Sequence, residues 1–328
     1  MDKYLITGFS GFVGKNFTKY INDNSYDSSV LGIDILNPSF NINELQNVKV
    51  KFIRSDLRDR EKISKIIYDF SPNYILHLAS SSSVAESWKS PVSSFQNNLN
   101  IFIDLLEDIR KIGINSRIIS VGSSEEYGTV EVSRLPLKED NKLNPTSPFG
   151  IARYSQELVG KLYSDVYGMD IVMTRSFNHI GPGQSDEFAI SSFAKQIAEI
   201  KRNNQNEFLL AGDVSVIRDF IDVRDVVRAY RELFLKGKKG EVYNVCSGSG
   251  ISLHNIIQIM SEILDIKIII CEDKKLKRPR ENPVIIGSNE KIKSETGWEN
   301  MIPLERSLKD ILNYYIQKSI SEKFVVYH

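Results

Sequence analysis

The sequence predicts an α/β fold: a doubly wound, parallel sheet with a smaller C-terminal lobe. Three observations predict it. Short β-branched runs alternate with helical patterns through the first half, a three-glycine turn joins the first such pair, and the alternation breaks down after Phe177.

Taken in order, "KYLITG" reads as a buried strand and "GFVGKNFTKYI" as a helix. "SSVLGID" and "VKVKFIRSD" read as strands, "REKISKIIYDF" as a helix and "NYILHLAS" as a strand. A long helix over roughly Pro91 to Ile112 follows, then a strand "SRIISVGSS", a helix from about Pro148 to Tyr167 and a strand "DIVMTRSF". Beyond Phe177 come "NHIGPGQSDE", "FAISSFAKQIAEIKR" and "EFLLAGDVSVIRDFIDVRDVVRAY", with "GEVYNVCSG" as one more strand of the sheet. The tail from Ile251 to His328 mixes helices with "IKIII" and a loop at "KRPRENP"; no repeat interrupts it. The expected division is 1–178 plus about 214–247 for the sheet domain, and about 179–213 plus 248–328 for the smaller lobe.

A chain of 328 residues can bury a large core, and its 42 basic and 42 acidic residues cancel. That balance argues against nucleic acid or an anionic membrane as the main partner, while a small anionic ligand needs only a few local charges. Two cysteines, Cys246 and Cys271, and four histidines show no metal-ligand spacing, so no metal site is expected and a reducing compartment fits. The apolar run in "MDKYLITGFSG" is too short for a leader or a membrane span, which leads to the expectation of a soluble, cytoplasmic protein.

"TGFSGFVG" places Gly8, Gly11 and Gly14 between a strand and a helix. Glycines there permit a tight turn and close approach of backbone to a pyrophosphate, whose charge meets the helix N-terminus. Asp34 closes the next strand, where a carboxylate can accept hydrogen bonds from an adenosine ribose and would repel a 2'-phosphate. NAD is therefore favoured over NADP. Asp56 and Leu57, after the third strand, are candidates to flank the adenine.

With "TGFSGFVG", the motifs "HLASSSSVAESW", "GSSEEYG", "PTSPFGIAR", "RSFNHIGPGQ", "IRDFIDVRDVV", "YNVCSG" and "RP" before "GW" span nearly the full length. Together they resemble the extended short-chain dehydrogenase/reductase family that modifies nucleotide-activated sugars. Within it the chain is most similar to the branch acting on GDP-sugars, the GDP-mannose 4,6-dehydratases and GDP-4-keto-6-deoxymannose reductases. The resemblance implies a Rossmann-type domain and chemistry at the sugar's C4. It implies that Gly8, Phe9, Gly11, Phe12, Val13, Gly14, Asp34, Asp56, Leu57, Leu78, Ala79, Asn98 and Arg153 hold NAD. It likewise implies that Ser83, Asn178, Arg218 and Arg278 hold the GDP-sugar, a planar guanidinium suiting a diphosphate.

Family members exchange the C4 hydroxyl proton through a tyrosine, with a lysine four residues on along the same helical face. Here those positions read Phe149 and Arg153. Arg153 keeps a positive charge and donors, whereas Phe149 has no proton to exchange. Tyr154, rotated by roughly 140 degrees around the helix, faces elsewhere, and Tyr127 matches a structural position. Ser123, Ser124 and Glu125 resemble the dehydratase triplet, in which a hydroxyl polarises the C4 oxygen and the glutamate removes the C5 proton and helps expel the C6 hydroxyl. The resemblance thus implies a 4,6-dehydratase impaired by Phe149. A C4 reductase, dehydrogenase or epimerase stays open, as does a non-catalytic binder of NAD and a sugar nucleotide.

Strand alternation turns Glu126 away from the cleft. His77, at the end of a strand, reads as a satisfied core histidine, His179 as a loop-shaping residue and Trp298 as packing for the tail helices. Ile101, Leu105, Leu106 and Ile109, with Leu158 and Leu162, suggest more apolar surface than one sheet face needs. In this family such helices form a bundle with a second subunit, so the expected assembly is a homodimer or a higher homo-oligomer.

Overall fold

The computed structural model describes residues 1–24, 26–203, 207–276 and 282–325. Seven parallel strands form the main sheet, in the spatial order Val242–Val245, Ile171–Ser176, Arg117–Ser123, Tyr74–His77, Asp2–Thr7, Ser28–Asp34, Lys49–Arg54. The order reverses beside Asp2–Thr7, which makes the crevice between its carboxyl end and that of Tyr74–His77 the natural ligand position in such a sheet. The chain is α/β as the alternating pattern predicts.

Apolar residues on both faces of the strands explain why these runs are nearly continuous rather than alternating. Tyr4 and Ile6 face one layer with Phe17, Ile21, Tyr230 and Phe234, whereas Leu5 faces the other with Phe102, Leu106 and Ile109. A separate core in the smaller lobe joins Ile197, Ile256, Met260, Leu308 and Ile311.

The lobe boundary departs from expectation. Ile217–Asp222, expected within the returning segment 214–247, sits in a small sheet instead. It pairs antiparallel with Gly250–Ser252 and parallel with Asn178–Ile180 and Val284–Ile285. From that segment, the helix Val223–Lys236 and the strand Val242–Val245 return to the large sheet. Conversely Ile292 and Trp298, expected in the smaller lobe, pack into the large-sheet core, where the Trp298 indole N–H donates to the Asp225 carbonyl.

The helix expected over Pro91 to Ile112 is interrupted. It runs as Pro91–Phe95, a π turn at Gln96–Asn100, and Ile101–Ile112. One extra residue in a helical turn re-aims side chains, which periodicity alone does not reveal. Helix Pro148–Tyr167 has its expected bounds: Ser147 Oγ accepts the Gly150 N–H, proline holds the first turn and Gly168 closes it at φ 70°.

Ile101, Leu105, Leu106 and Ile109 are buried within the chain against the sheet, so they offer no surplus surface. Leu158 and Leu162 are 51% and 53% exposed and continue a stripe with Ile151 and Val166. Among the described residues no helix is long and apolar enough to cross a membrane, and no group of three His, Cys, Asp or Glu is arranged to hold a metal.

Candidate functional site

A cavity of about 1170 Å³ opens along the carboxyl edge of the large sheet and continues under the smaller lobe. Its volume exceeds that of a typical single small-molecule pocket, leaving room for a dinucleotide and a second ligand.

At one end lies the glycine turn. Gly8 has φ 70°, and a Cβ there would stand 2.7 Å from the Ala79 nitrogen. A Cβ on Gly14 would stand 2.5 Å from the Phe9 carbonyl oxygen, so the following helix can begin this close to the turn only with glycine there. That helix, Phe12–Asp23, has no side chain capping its N-terminus. The N–H groups of Phe12, Val13 and Gly14 therefore face the cavity without intrahelical partners, an arrangement that can hold a pyrophosphate.

Asp34 lines the cavity one strand away, its carboxylate accepting the Ser10 N–H (2.9 Å) and the Leu36 N–H (3.0 Å). Asp56 and Leu57 lie alongside, the Asp56 carboxylate clasped by Arg58 through Nε and Nη2. Leu78 and Ala79 form part of the floor.

Two expected contacts are corrected. The Phe9 ring is fully buried in the core against Phe40 and Phe52, because its side chain points into the sheet while the turn's backbone faces the cavity. Asn98 is also fully buried and does not line the cavity. The π turn directs it beneath the 80–83 loop, where its Oδ1 accepts the Ser81 N–H (3.0 Å) and its Nδ2 donates to Ser94 Oγ (3.2 Å). Its place is support for that loop. Ser83 caps Val84–Lys89 by accepting the Glu86 N–H at 3.1 Å and lines the cavity.

The middle of the cavity brings together Ser123, Ser124, Glu125, Phe149 and Arg153. The strand ends at Ser123, and Ser124–Glu126 forms a single tight turn rather than continuing it. A reciprocal cap explains the change: Ser123 Oγ accepts the Glu125 N–H (3.2 Å) while Glu126 Oε1 accepts the Ser123 N–H (2.7 Å). Glu126 thereby points away from the cavity, through this turn and not through strand alternation, and is fully buried. The Ser123 hydroxyl, acting there as acceptor, keeps its own proton to donate.

Phe149 is 5% exposed, with the Arg153 guanidinium 5.2 Å from its ring centre. Arg153 Nη1 donates to the Val121 carbonyl (2.9 Å) and to Gln156 Oε1 (2.8 Å), and Gln156 Nε2 donates on to Ser120 Oγ (2.8 Å). Burial pushes the guanidinium's pKa down to about 10, so it remains charged at neutral pH. Gln156 was not singled out by the sequence; its place two turns beyond Phe149 and three residues from Arg153 was the available signal.

Tyr154 does not line the cavity, and Tyr127 is buried, donating to Asn244 Oδ1 at 2.7 Å. His77 is a core residue: its Nδ1 lies 2.9 Å from Thr7 Oγ1, and burial, followed by the charge of Arg153, holds its pKa down to about 3. His179 reaches the cavity, kept neutral because burial lowers its pKa to about 4.

Asn178 and Arg218 meet at the far end on neighbouring strands. Asn178 Nδ2 donates to the Asp219 carbonyl (3.0 Å), and Arg218 Nη1 to the Ile217 carbonyl (2.8 Å). Arg278 lies outside the described residues.

A family model described as GDP-mannose 4,6 dehydratase matches residues 5–311. A GDP-6-deoxy-D-mannose reductase from Pseudomonas aeruginosa is 30% identical over 311 residues, covering 95% of this chain and 96% of the relative. The solved structure of RMD from Pseudomonas aeruginosa complexed with NADPH superposes with a TM-score of 0.84 at 29% identity, covering 97% of this chain and 100% of that one. UDP-glucose 4-epimerase from Thermotoga maritima, solved with UDP-glucose, gives 0.84 at 27% identity, covering 97% and 99%. Turn, strand-edge triplet, altered helix and arginine strand thus sit in one cavity of a chain matched almost end to end, and the chain belongs to the GDP-mannose 4,6-dehydratase family, in the nucleotide-sugar branch of the extended short-chain dehydrogenases/reductases.

Proposed function

We propose that the chain binds NAD and a GDP-sugar and acts at C4 as a GDP-mannose-type 4,6-dehydratase, with turnover limited by Phe149. The observation that carries this reading is the Ser123–Ser124–Glu125 turn opening into the same cavity as the glycine turn. The uncapped helix N-terminus and the Cβ-free approach at Gly8 and Gly14 fit a dinucleotide pyrophosphate. Asp34 supports NAD, since it sets a negative charge where a 2'-phosphate would lie.

When bound, the nicotinamide supplies the exchange of hydride with the sugar. The chain's own residues would do the rest. A serine hydroxyl holds the C4 oxygen, Glu125 takes the C5 proton and returns one to the departing C6 hydroxyl, and Arg153 keeps fixed positive charge beside them. Phe149 excludes water at the position where a proton would be handed on, and itself carries none.

Incubating GDP-mannose with NAD and either the chain or its Phe149→Tyr form, followed by mass spectrometry, tests the reading. Loss of one water that appears or accelerates with tyrosine supports it. An unchanged mass with both forms rejects dehydration. The second reading, C4 reduction of a 4-keto sugar, is favoured by the name of the 30%-identical relative and would show as a gain of two hydrogens with NADPH.

The exposed stripe of Ile151, Leu158, Leu162 and Val166 supports association of two copies along helix Pro148–Tyr167. Light scattering is expected to give a dimer that Leu158→Glu together with Leu162→Glu reduces to a monomer; a monomeric parent would refute this.

A further inference from the structure

We propose that Asp219 registers the smaller lobe against the large sheet and thereby positions Arg218 and Asn178 for the diphosphate of a sugar nucleotide. The inference rests on the nucleotide-sugar reading above. Asp219 is fully buried in the strand Ile217–Asp222. Its Oδ1 accepts the Ser247 N–H (2.8 Å) and the Ser247 hydroxyl (2.7 Å), while its Oδ2 accepts the N–H groups of Gly248 (3.0 Å) and Gly287 (3.2 Å). Ser247 and Gly248 follow the outermost strand of the large sheet, Val242–Val245. Gly287 follows Val284–Ile285, which pairs with Ile217 and Arg218. The same residue's carbonyl accepts Asn178 Nδ2 at 3.0 Å.

One side chain therefore ties the end of the large sheet to two strands of the small one. Both residues expected to meet the diphosphate are held through it: Arg218 as its chain neighbour, Asn178 through its carbonyl. The close fit leaves little slack, since a Cβ on Gly287 would stand 2.5 Å from the Phe177 ring and 2.7 Å from Cys246 Sγ.

The donor set also makes the carboxylate irreplaceable by its amide. Both oxygens receive backbone N–H groups, so either orientation of an asparagine would aim its NH2 at another N–H. Ser247→Ala removes one hydroxyl donor and leaves the three N–H bonds intact.

The test compares the full chain with Asp219→Asn and Ser247→Ala, using GDP in calorimetry and NADH in fluorescence titration. Asp219→Asn is expected to weaken GDP binding by about tenfold or more, and Ser247→Ala by about threefold. NADH affinity should stay within about twofold, because the glycine turn is remote from the clamp. Hydrogen exchange should quicken at Gly248 and Gly287 in Asp219→Asn and stay unchanged in Asp2–Thr7. Undiminished GDP binding overturns the proposal, as does equal weakening of GDP and NADH, which would mark a merely structural residue. If the parent chain binds neither GDP, UDP nor dTDP, the nucleotide-sugar reading fails by itself. Exchange then decides the lobe registration, unchanged rates overturning it.

Discussion

Arg175→Met should lower the free energy of unfolding by about 3–5 kcal/mol at neutral pH. Arg175 is 4% exposed, on the strand next to the Ser123 edge. Its Nε and Nη2 each donate to Glu157 at 2.8 Å, and its Nη1 to the Glu139 carbonyl at 2.9 Å. Burial alone would lower its pKa, but the Glu157 carboxylate more than offsets that and holds it above the usual arginine range. Methionine fills the volume and abandons Glu157 and Glu126 without their cation. Urea denaturation should show an earlier midpoint with unchanged slope. A loss under about 1 kcal/mol would mean the carboxylates find other partners.

The pH dependence follows from Glu126, whose pKa is raised, first by burial and then by the neighbouring charge of Glu157. Its Oε2 has no hydrogen-bond donor, an arrangement that is comfortable only with a proton between the two carboxyls. A raised carboxyl contributes stability that is fully present below its unfolded value of about 4.3 and is lost as pH rises through the folded value. Glu126→Gln should remove that slope, because its oxygen can still accept the Ser123 N–H and its amide can donate to Glu157. A retained slope would place the titration elsewhere. The Arg175→Met penalty should shrink as pH falls, since the Glu126 carboxyl left without its cation then holds its proton.

The helices and strands around this network were legible because each is short, apolar on its buried faces and punctuated by turn residues. Helix Pro148–Tyr167 is the clearest case, with serine, proline and glycine at its ends. What the sequence left hidden depended on one-residue changes of path. The π turn at Gln96–Asn100 and the tight turn at Ser124–Glu126 both re-aim side chains: the first turns Asn98 to the interior against expectation, and the second, not strand alternation, is what turns Glu126 away from the cleft as expected. Apolar periodicity gave the burial of Ile101 and Leu105 but not that the chain's own sheet receives them. Strand Ile217–Asp222 reads like any buried strand, and its place in the small sheet comes from long-range pairing and from Asp219, which no local pattern encodes. The cavity's glycines, Asp34 and the serine–glutamate turn were visible since their chemistry is local; Gln156 was not, because its meaning depends on the Arg153 guanidinium that its Oε1 accepts.

On the proposed reaction, Phe149→Tyr should raise turnover of GDP-mannose by about a hundred- to ten-thousand-fold, the usual contribution of a positioned acid or base. The site is already shaped for the ring, which is 5% exposed and has the Arg153 guanidinium 5.2 Å from its centre. Arg153 is held independently of that ring by the Val121 carbonyl and Gln156, so the charge should persist when a hydroxyl is added. Oxidation needs the phenolate, and the rate should therefore rise with pH through the new tyrosine's pKa. Arg153 favours the phenolate and moves that limb below the position burial alone would give. Arg153→Met in the tyrosine background should return the limb upward by about one unit or more, a shift that a purely structural arginine would not produce. A rate gain whose pH limb ignores Arg153 would assign the arginine to cofactor holding alone. No gain at all would mean that Phe149 replaces nothing the reaction requires, and the binding reading would then stand on the glycine turn and the arginine strand without catalysis between them.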